Sequence, residues 1–301
     1  MPGRLRSGLQ GWRLPVVVAG GIAALLSSVF AGALFVSAGG PNEVEVRVFV
    51  DIAGDGLDTV VGDAAHPVAP GVEVFVWEDN GSSPGLPDPT DTFVMSLVTD
   101  ATGTAIAGAV NPSGSYWVSI DSTDVVSPSG LTGIGTAVAE QTYGPIGSLV
   151  DLAAPLTVAP GPVYGGVDPL NSDTDASDLL VADHLALIPA GNSVADFGFS
   201  FNVVTNTDPG AIQGSLRQFA SNANAVVGPN AMRFVPMVAP NSSSGTASWW
   251  SVGGTSAISL SDQDSVIDGT AYAPDGSTVD PNPGLLSANA GSAVGTGGAA
   301  L

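Results

Sequence analysis

The chain has 301 residues with no cysteine and no lysine, and its six arginines stand against 28 acidic residues for a formal net charge of −22 at pH 7. Thiol chemistry, disulfides and Cys-ligated zinc are therefore excluded, and a phosphate backbone would be repelled, so no nucleic acid is expected as a partner. Forty glycines and 23 prolines with few aromatics suit short strands and tight turns better than long helices, and the length allows two small domains with connecting segments.

Residues 1–40 read as an export segment. Arg4, Arg6 and Arg13 precede an uncharged run from Leu14 to Ala38, the order of a basic n-region and an apolar h-region. The run is also long enough to span a bilayer at about 1.5 Å per residue, so a cleaved signal and an uncleaved signal-anchor through residues 14–38 both stand. The small pair Val36/Ala38 and the glycines within the run favour cleavage after Ala38. Either arrangement delivers residues 41 onward to the outside, which makes the protein extracellular or displayed at the cell surface.

Residues 41–125 carry strand signals. EVEVRVFV at 43–50 alternates with period two and predicts Val44, Val46, Val48 and Val50 on one buried face. GVEVFVWED at 71–79 repeats the device, and 92–98 and 115–120 supply two more strands between the turn signals NGSSPG and TDATG. Together they predict a compact antiparallel β-sandwich.

Residues 126–195, rich in Gly, Pro, Ser and Ala, read as a loosely structured extension. From Asp196 the pattern sharpens again: DFGFSFNVV places Phe197, Phe199, Phe201 and Val203 on one face. A helix follows at Ser215, where Ser215 and Gln218 have capping-box spacing and Leu216, Phe219, Ala220 and Ala223 form one apolar stripe that ends at Gly228-Pro229. AMRFVPMV and SWWSV read as strands, and residues 256–272 as two more at rung-like spacing. The composition of 274–301 predicts a disordered tail.

Two stretches resemble bacterial surface-protein families. VFVDIAGDGLD, PGVEVFVWED, VTDATG and SYWVSID, in that order, resemble a serine-aspartate-repeat B-type (collagen-binding-protein B-type) domain, a prealbumin-like sandwich. The run NT…GSLRQ…NAN, carried by Asn206, Thr207, Gly214 to Gln218 and Asn222 to Asn224, is similar to the cap of extracellular right-handed parallel β-helix proteins. The second resemblance implies a helix covering the end of a β-helix whose rungs start near Met232, a cap module spanning 196–273. Such families run on for many rungs, whereas this chain stops near the second or third, which suggests truncation or capping by a partner. The expected fold class is thus all-β: a prealbumin-like antiparallel β-sandwich followed by a partial parallel β-helix with one capping α-helix.

The acidic loop Asp51-Ile-Ala-Gly-Asp55-Gly56-Leu-Asp58 offers hard oxygens and a turn glycine, the chemistry of a calcium loop. It is incomplete, with Ala53 and Gly62 where an EF-hand-like loop needs oxygen donors. The B-type resemblance would fold a second acidic loop (Asp79, Asn80, Asp88, Asp91) against it, so Asp51, Asp55, Asp58, Asp79 and Asp91 are expected to hold one calcium ion; ordinary Asp-rich turn chemistry is the competing account. The run Asn171-Ser-Asp173-Thr-Asp175-Ala-Ser-Asp178 lacks a turn glycine and reads as solvated linker.

Catalytic parts are scarce. His66 precedes Pro67 in a turn and His184 lies in VADHLALI, both expected to be structural, and no nucleophile elbow or phosphate loop occurs. Of the adjacent Trp249 and Trp250, strand geometry allows only one to face a core. Arg217 and Arg233 are expected to pair with local carboxylates or carbonyls. The function expected is that of an exported spacer or adhesion-type surface component with no catalysis, its partner an extracellular protein or glycan. The competing reading is a secreted glycan-active β-helix lyase or hydrolase using Asp262, Asp264 and Asp268.

Overall fold

A computed structural model describes residues 40–57, 61–133, 136–150, 160–191, 194–252 and 256–281. The expected export run, Asp58 and residues 282–301 lie outside them. Among the described residues no helix is long and apolar enough to cross a membrane.

Among the described residues the fold is all-β with one α-helix. Strands β1 (Glu43–Val50), β2 (Glu73–Glu78), β3 (Thr92–Val98), β4 (Thr104–Gly108) and β5 (Ser115–Ile120) lead into a 3-10 turn at Ser122–Asp124. Then come β6 (Glu140–Gly144), β7 (Gly161–Pro162), β8 (Leu185–Pro189), β9 (Val194–Ser200) and β10 (Val203–Val204). Helix α1 (Leu216–Ala225) precedes β11 (Ala231–Phe234), β12 (Ser242–Ser244), β13 (Ala247–Trp249) and β14 (Val266–Ala271).

Two of the sheets share a core. A five-stranded sheet has the order β4-β1-β9-β6-β7, and a four-stranded sheet the order β3-β2-β5-β8. Val44, Val46, Val48 and Val50 of β1 are buried as their alternation predicts, together with Phe197 and Phe199 of β9. They pack with Val74 and Val76 of β2, Val118 and Ile120 of β5 and Ile188 of β8 from the other sheet. Each fully buried aliphatic or aromatic side chain contributes about 1.5–3 kcal/mol relative to exposure, so this shared layer is the main source of stability.

The five-stranded sheet is mixed. β9 lies beside β1 in parallel register, Val48 opposite Phe197, while its other edge meets β6 antiparallel. Gly198 makes this position possible: a Cβ there would stand 2.5 Å from the Phe49 ring and 3.0 Å from Tyr143 Cβ. The stretch assigned from sequence to a separate cap module therefore begins inside the sheet that β1 opens.

Residues 126–195, read as a loose extension, supply β6, β7 and β8. Leu149, Ala176, Leu179 and Ala182 of the same stretch cover Phe75, Trp77 and Trp117 on the outer face of the four-stranded sheet. Small residues produce no strong periodicity, yet they fit closely over indole rings, which is why composition alone suggested a loosely structured extension here.

Helix α1 is capped as its sequence predicts: Ser215 Oγ accepts from Gln218 N–H at 3.1 Å. The Gln218 side-chain amide also donates to Asn222 Oδ1 at 2.8 Å. Leu216, Phe219 and Ala223 of the stripe pack on Val204, Met232, Phe234 and Ala271. Beneath the helix, β10, β11 and β14 form a parallel three-stranded sheet, and β12 and β13 a separate hairpin. These sheets are not a solenoid. Of the two strands expected in 256–272 only β14 forms. Within the expected tail, 274–278 form a turn in which Ala273 N–H donates to Ser277 O at 2.7 Å and Val279 N–H to Ala271 O at 2.8 Å.

Candidate metal centre

Past β4, residues 65–69 take over the free edge of β1. Val50 N–H donates to Pro67 O at 2.8 Å, Ile52 N–H to Ala65 O at 3.2 Å and Ala69 N–H to Val48 O at 2.9 Å. This antiparallel register sets Asp51 opposite His66 in a pair not joined by its own backbone bonds, the arrangement in which facing side chains come closest. The loop then turns back on itself. Asp51 Oδ1 accepts from Gly54 N–H at 2.8 Å and Oδ2 from Gly56 N–H at 2.9 Å.

Gly54 and Gly56 both have positive φ, +62° and +68°. A Cβ at Gly56 would lie 2.8 Å from Tyr164 Oη and 2.9 Å from Thr142 O, so only glycine lets the loop close this tightly. Asp51 is fully buried, and burial raises its carboxyl above the ordinary range despite the two N–H bonds.

Asp51, Asp55 and His66 each bring one ligand-type atom within 4.8 Å of the others. Asp55 is partly exposed, and its Oδ1 accepts from Leu57 N–H at 3.1 Å. His66 is held from behind: its N–H donates to Asp63 Oδ1 at 2.9 Å, and ring Nδ1 lies 3.3 Å from the same oxygen. Hydrogen bonds from the His66 and Ala65 backbone keep the Asp63 carboxyl below its usual range, so it stays ionised. The ring meets Phe49 edge-on with centroids 5.8 Å apart, and Nε2 is buried with no hydrogen-bond partner. Thr142 Oγ1, beside Asp51, is likewise buried without a bond of regular geometry.

Of the five aspartates expected to share one ion, the fold brings Asp51 and Asp55 together and adds His66. Asp79 and Asp91 are not in that group; they cap the β2–β3 loop, where Asp79 accepts from Gly85 N–H at 3.0 Å and Asp91 from Gly81 N–H at 2.9 Å and Asp88 N–H at 3.0 Å. Asp88 holds the same loop through Ser83 and Thr90, and the Thr90 hydroxyl foremost keeps its carboxyl at about 2. Asp58 lies outside the described residues.

A second group of ionisable residues is sealed between β6, β8 and the loops over them. His184, fully buried, faces Gln141 Oε1 through Nδ1 at 3.0 Å and Gln213 Nε2 through Nε2 at 3.2 Å. Asp173 accepts from Ser122 N–H at 2.9 Å, and Asp183 from Asp168 N–H at 2.7 Å. Asp173 was expected in a solvated linker; its carboxylate is instead drawn inside because it satisfies the start of the Ser122–Asp124 turn. Burial pushes Glu140 to about 8, Asp173 to about 7 and Asp183 to about 6, while it lowers His184. Burial thus favours the neutral imidazole, with Nδ1 facing Gln141 Oε1 and Nε2 facing the Gln213 amide.

The other singled-out residues have local partners. Trp250 Nε1 donates to Val238 O at 2.8 Å and its ring meets Phe234 edge-on, while Trp249 is 38% exposed. Arg217 donates to the carbonyls of Pro209, Ser256 and Ala257, and the Arg233 guanidinium lies 4.8 Å over the Tyr272 ring. Asp262 accepts from Ser265 Oγ at 2.6 Å ahead of β14, and Asp268 from Thr270 N–H at 2.9 Å within it.

The chain matches no protein-family model and no curated protein in sequence.

Proposed function

We propose that this is an exported, cell-surface structural or adhesion-type protein that presents a rigid body to extracellular proteins or glycans and performs no catalysis. One observation carries the reading: the polar side chains inside the body act as cross-links between distant parts of the chain. Asn222 of α1 donates to Val138 O and Phe201 O, both at 2.8 Å, and accepts from Val138 N–H at 3.0 Å. Gln213 donates to Ser122 Oγ and Ala139 O and accepts from Asp173 N–H. In a chain without cysteine, such side-chain networks add to the apolar core as a means of fixing one conformation outside the cell.

The facing sheets support the B-type, prealbumin-like reading through β1, β2, β3 and β5, with β6 to β9 as additions to it. β10, β11 and β14 lie parallel beneath α1, as one layer of the expected cap would, but the sheets do not form a solenoid, so no run of β-helix rungs is proposed. The acidic exterior suits solubility and repulsion from other anionic surfaces.

Incubation of the full chain with pectins and other acidic glycans tests the non-catalytic part. No new reducing ends are expected; their time-dependent appearance would make the protein a glycan-active enzyme.

A further inference from the structure

We propose that Asp51, Asp55 and His66 form a binding site for a borderline divalent cation of the zinc class, with His66 Nε2 as the nitrogen ligand. This assignment does not rest on the surface-protein reading.

Three features carry it. The first is the donor set. Calcium takes six to eight oxygens, whereas two carboxylates and an imidazole match the nitrogen-and-oxygen preference of zinc and its neighbours. The second is the orphan: the His66 side chain is only 6% exposed and its Nε2 has no partner, an arrangement that costs free energy unless something occupies that lone pair. The third is the support behind the ring. Asp63 receives Nδ1–H, which fixes the tautomer with the Nε2 lone pair free, the carboxylate–histidine support found behind metal-bound imidazoles.

The geometry is close to that needed. Ligand atoms around a four-coordinate zinc at roughly 2.0–2.1 Å stand about 3.3 Å apart. One ring nitrogen of His66 and one carboxylate oxygen from each of Asp51 and Asp55 lie within 4.8 Å of one another. Asp51 is fixed by two N–H bonds but retains a lone pair on each oxygen; Asp55, partly exposed, can rotate inward and also marks the route from solvent. The fourth position is left to water, beside the Thr142 hydroxyl.

Zinc titration of the chelator-treated full chain, followed by calorimetry and repeated with cobalt for its visible spectrum, tests the site. The expected result is one zinc per chain, a four-coordinate cobalt spectrum, and retention of zinc against millimolar calcium. His66→Ala and, as a variant at a partly exposed position, Asp55→Asn should each weaken zinc at least tenfold, with circular dichroism confirming the fold. Asp63→Asn should weaken it less. Absence of stoichiometric zinc, zinc affinity unchanged in folded Asp55→Asn, or displacement by millimolar calcium would overturn the proposal.

Discussion

Arg47 of β1 and Asp196 of β9, 149 residues apart in sequence, stand opposite one another in the parallel register and form a two-pronged ion pair, Nε to Oδ1 at 2.7 Å and Nη2 to Oδ2 at 2.8 Å. The pair ties the first strand of the body to the strand that leads into the helix-capped region. It uses one of only three arginines beyond residue 40.

A double-mutant cycle on Arg47→Ala and Asp196→Ala should give a coupling of about 1 kcal/mol, since the groups are partly solvated but their geometry is bidentate. Urea melts measure it, and the coupling should shrink with added salt.

Asn222→Ala removes one side chain that serves Val138 N–H, Val138 O and Phe201 O, all buried. Leaving these groups unpaired should cost about 3 kcal/mol. Asn224→Ala, whose bonds to Ser259 O, Ser261 N–H and Oγ and Asp262 N–H are all exposed, should cost about 1 kcal/mol or less in the same denaturation experiment.

Gly198→Ala should destabilise by about 1–3 kcal/mol through overpacking, because the added methyl meets the Phe49 ring in a central strand. Coupling it with Phe49→Leu should restore part of the loss.

Stability should fall as pH rises from 6.5 to 8. Glu140 and Asp173 have folded values raised to about 8 and about 7, so the folded state holds protons that the unfolded state has released; their contribution is complete below the ordinary carboxylate range and disappears as pH passes these values. His184 acts oppositely: its value is lowered, so its contribution is complete above 6.5 and is lost only on acidification below that. Thermal melts of wild type and Glu140→Gln across this interval check the sign. The variant, which keeps an acceptor for Gln141 N–H, should show the shallower slope and the higher Tm at pH 8.

Strand periodicity made β1, β2, β5 and β9 legible, because Val44 to Val50 and Phe197 to Phe201 alternate against a single core. Ser215 and the stripe from Leu216 to Ala223 made α1 legible in the same way. What sequence reading lacked was pairing. Nothing local says that β9 lies beside β1, since a parallel partner 149 residues away leaves no trace in either strand's pattern. Nor does local pattern show that Leu149 and Leu179 cover Trp117.

The candidate site was legible only in part, for the same reason. Asp51 and Asp55 are recognisable by type and spacing, whereas His66 joins them only through a short antiparallel bridge centred on Phe49 and Val68. Its sole sequence signal is an Asp-x-x-His spacing from Asp63, which by itself reads as an ordinary turn. Asp79 and Asp91 illustrate the converse: equally recognisable by type, they serve backbone N–H groups of their own loop and are not in the Asp51 group.

The central claim is that residues 40–281 function outside the cytoplasmic membrane as a preformed body. Fractionation of producing cells, with N-terminal sequencing of the recovered polypeptide, tests it most directly. The account predicts recovery from the surface or medium with a start near residue 39, or in the membrane with residues 14–38 retained. Recovery of the folded, full-length chain from the cytosol would contradict it.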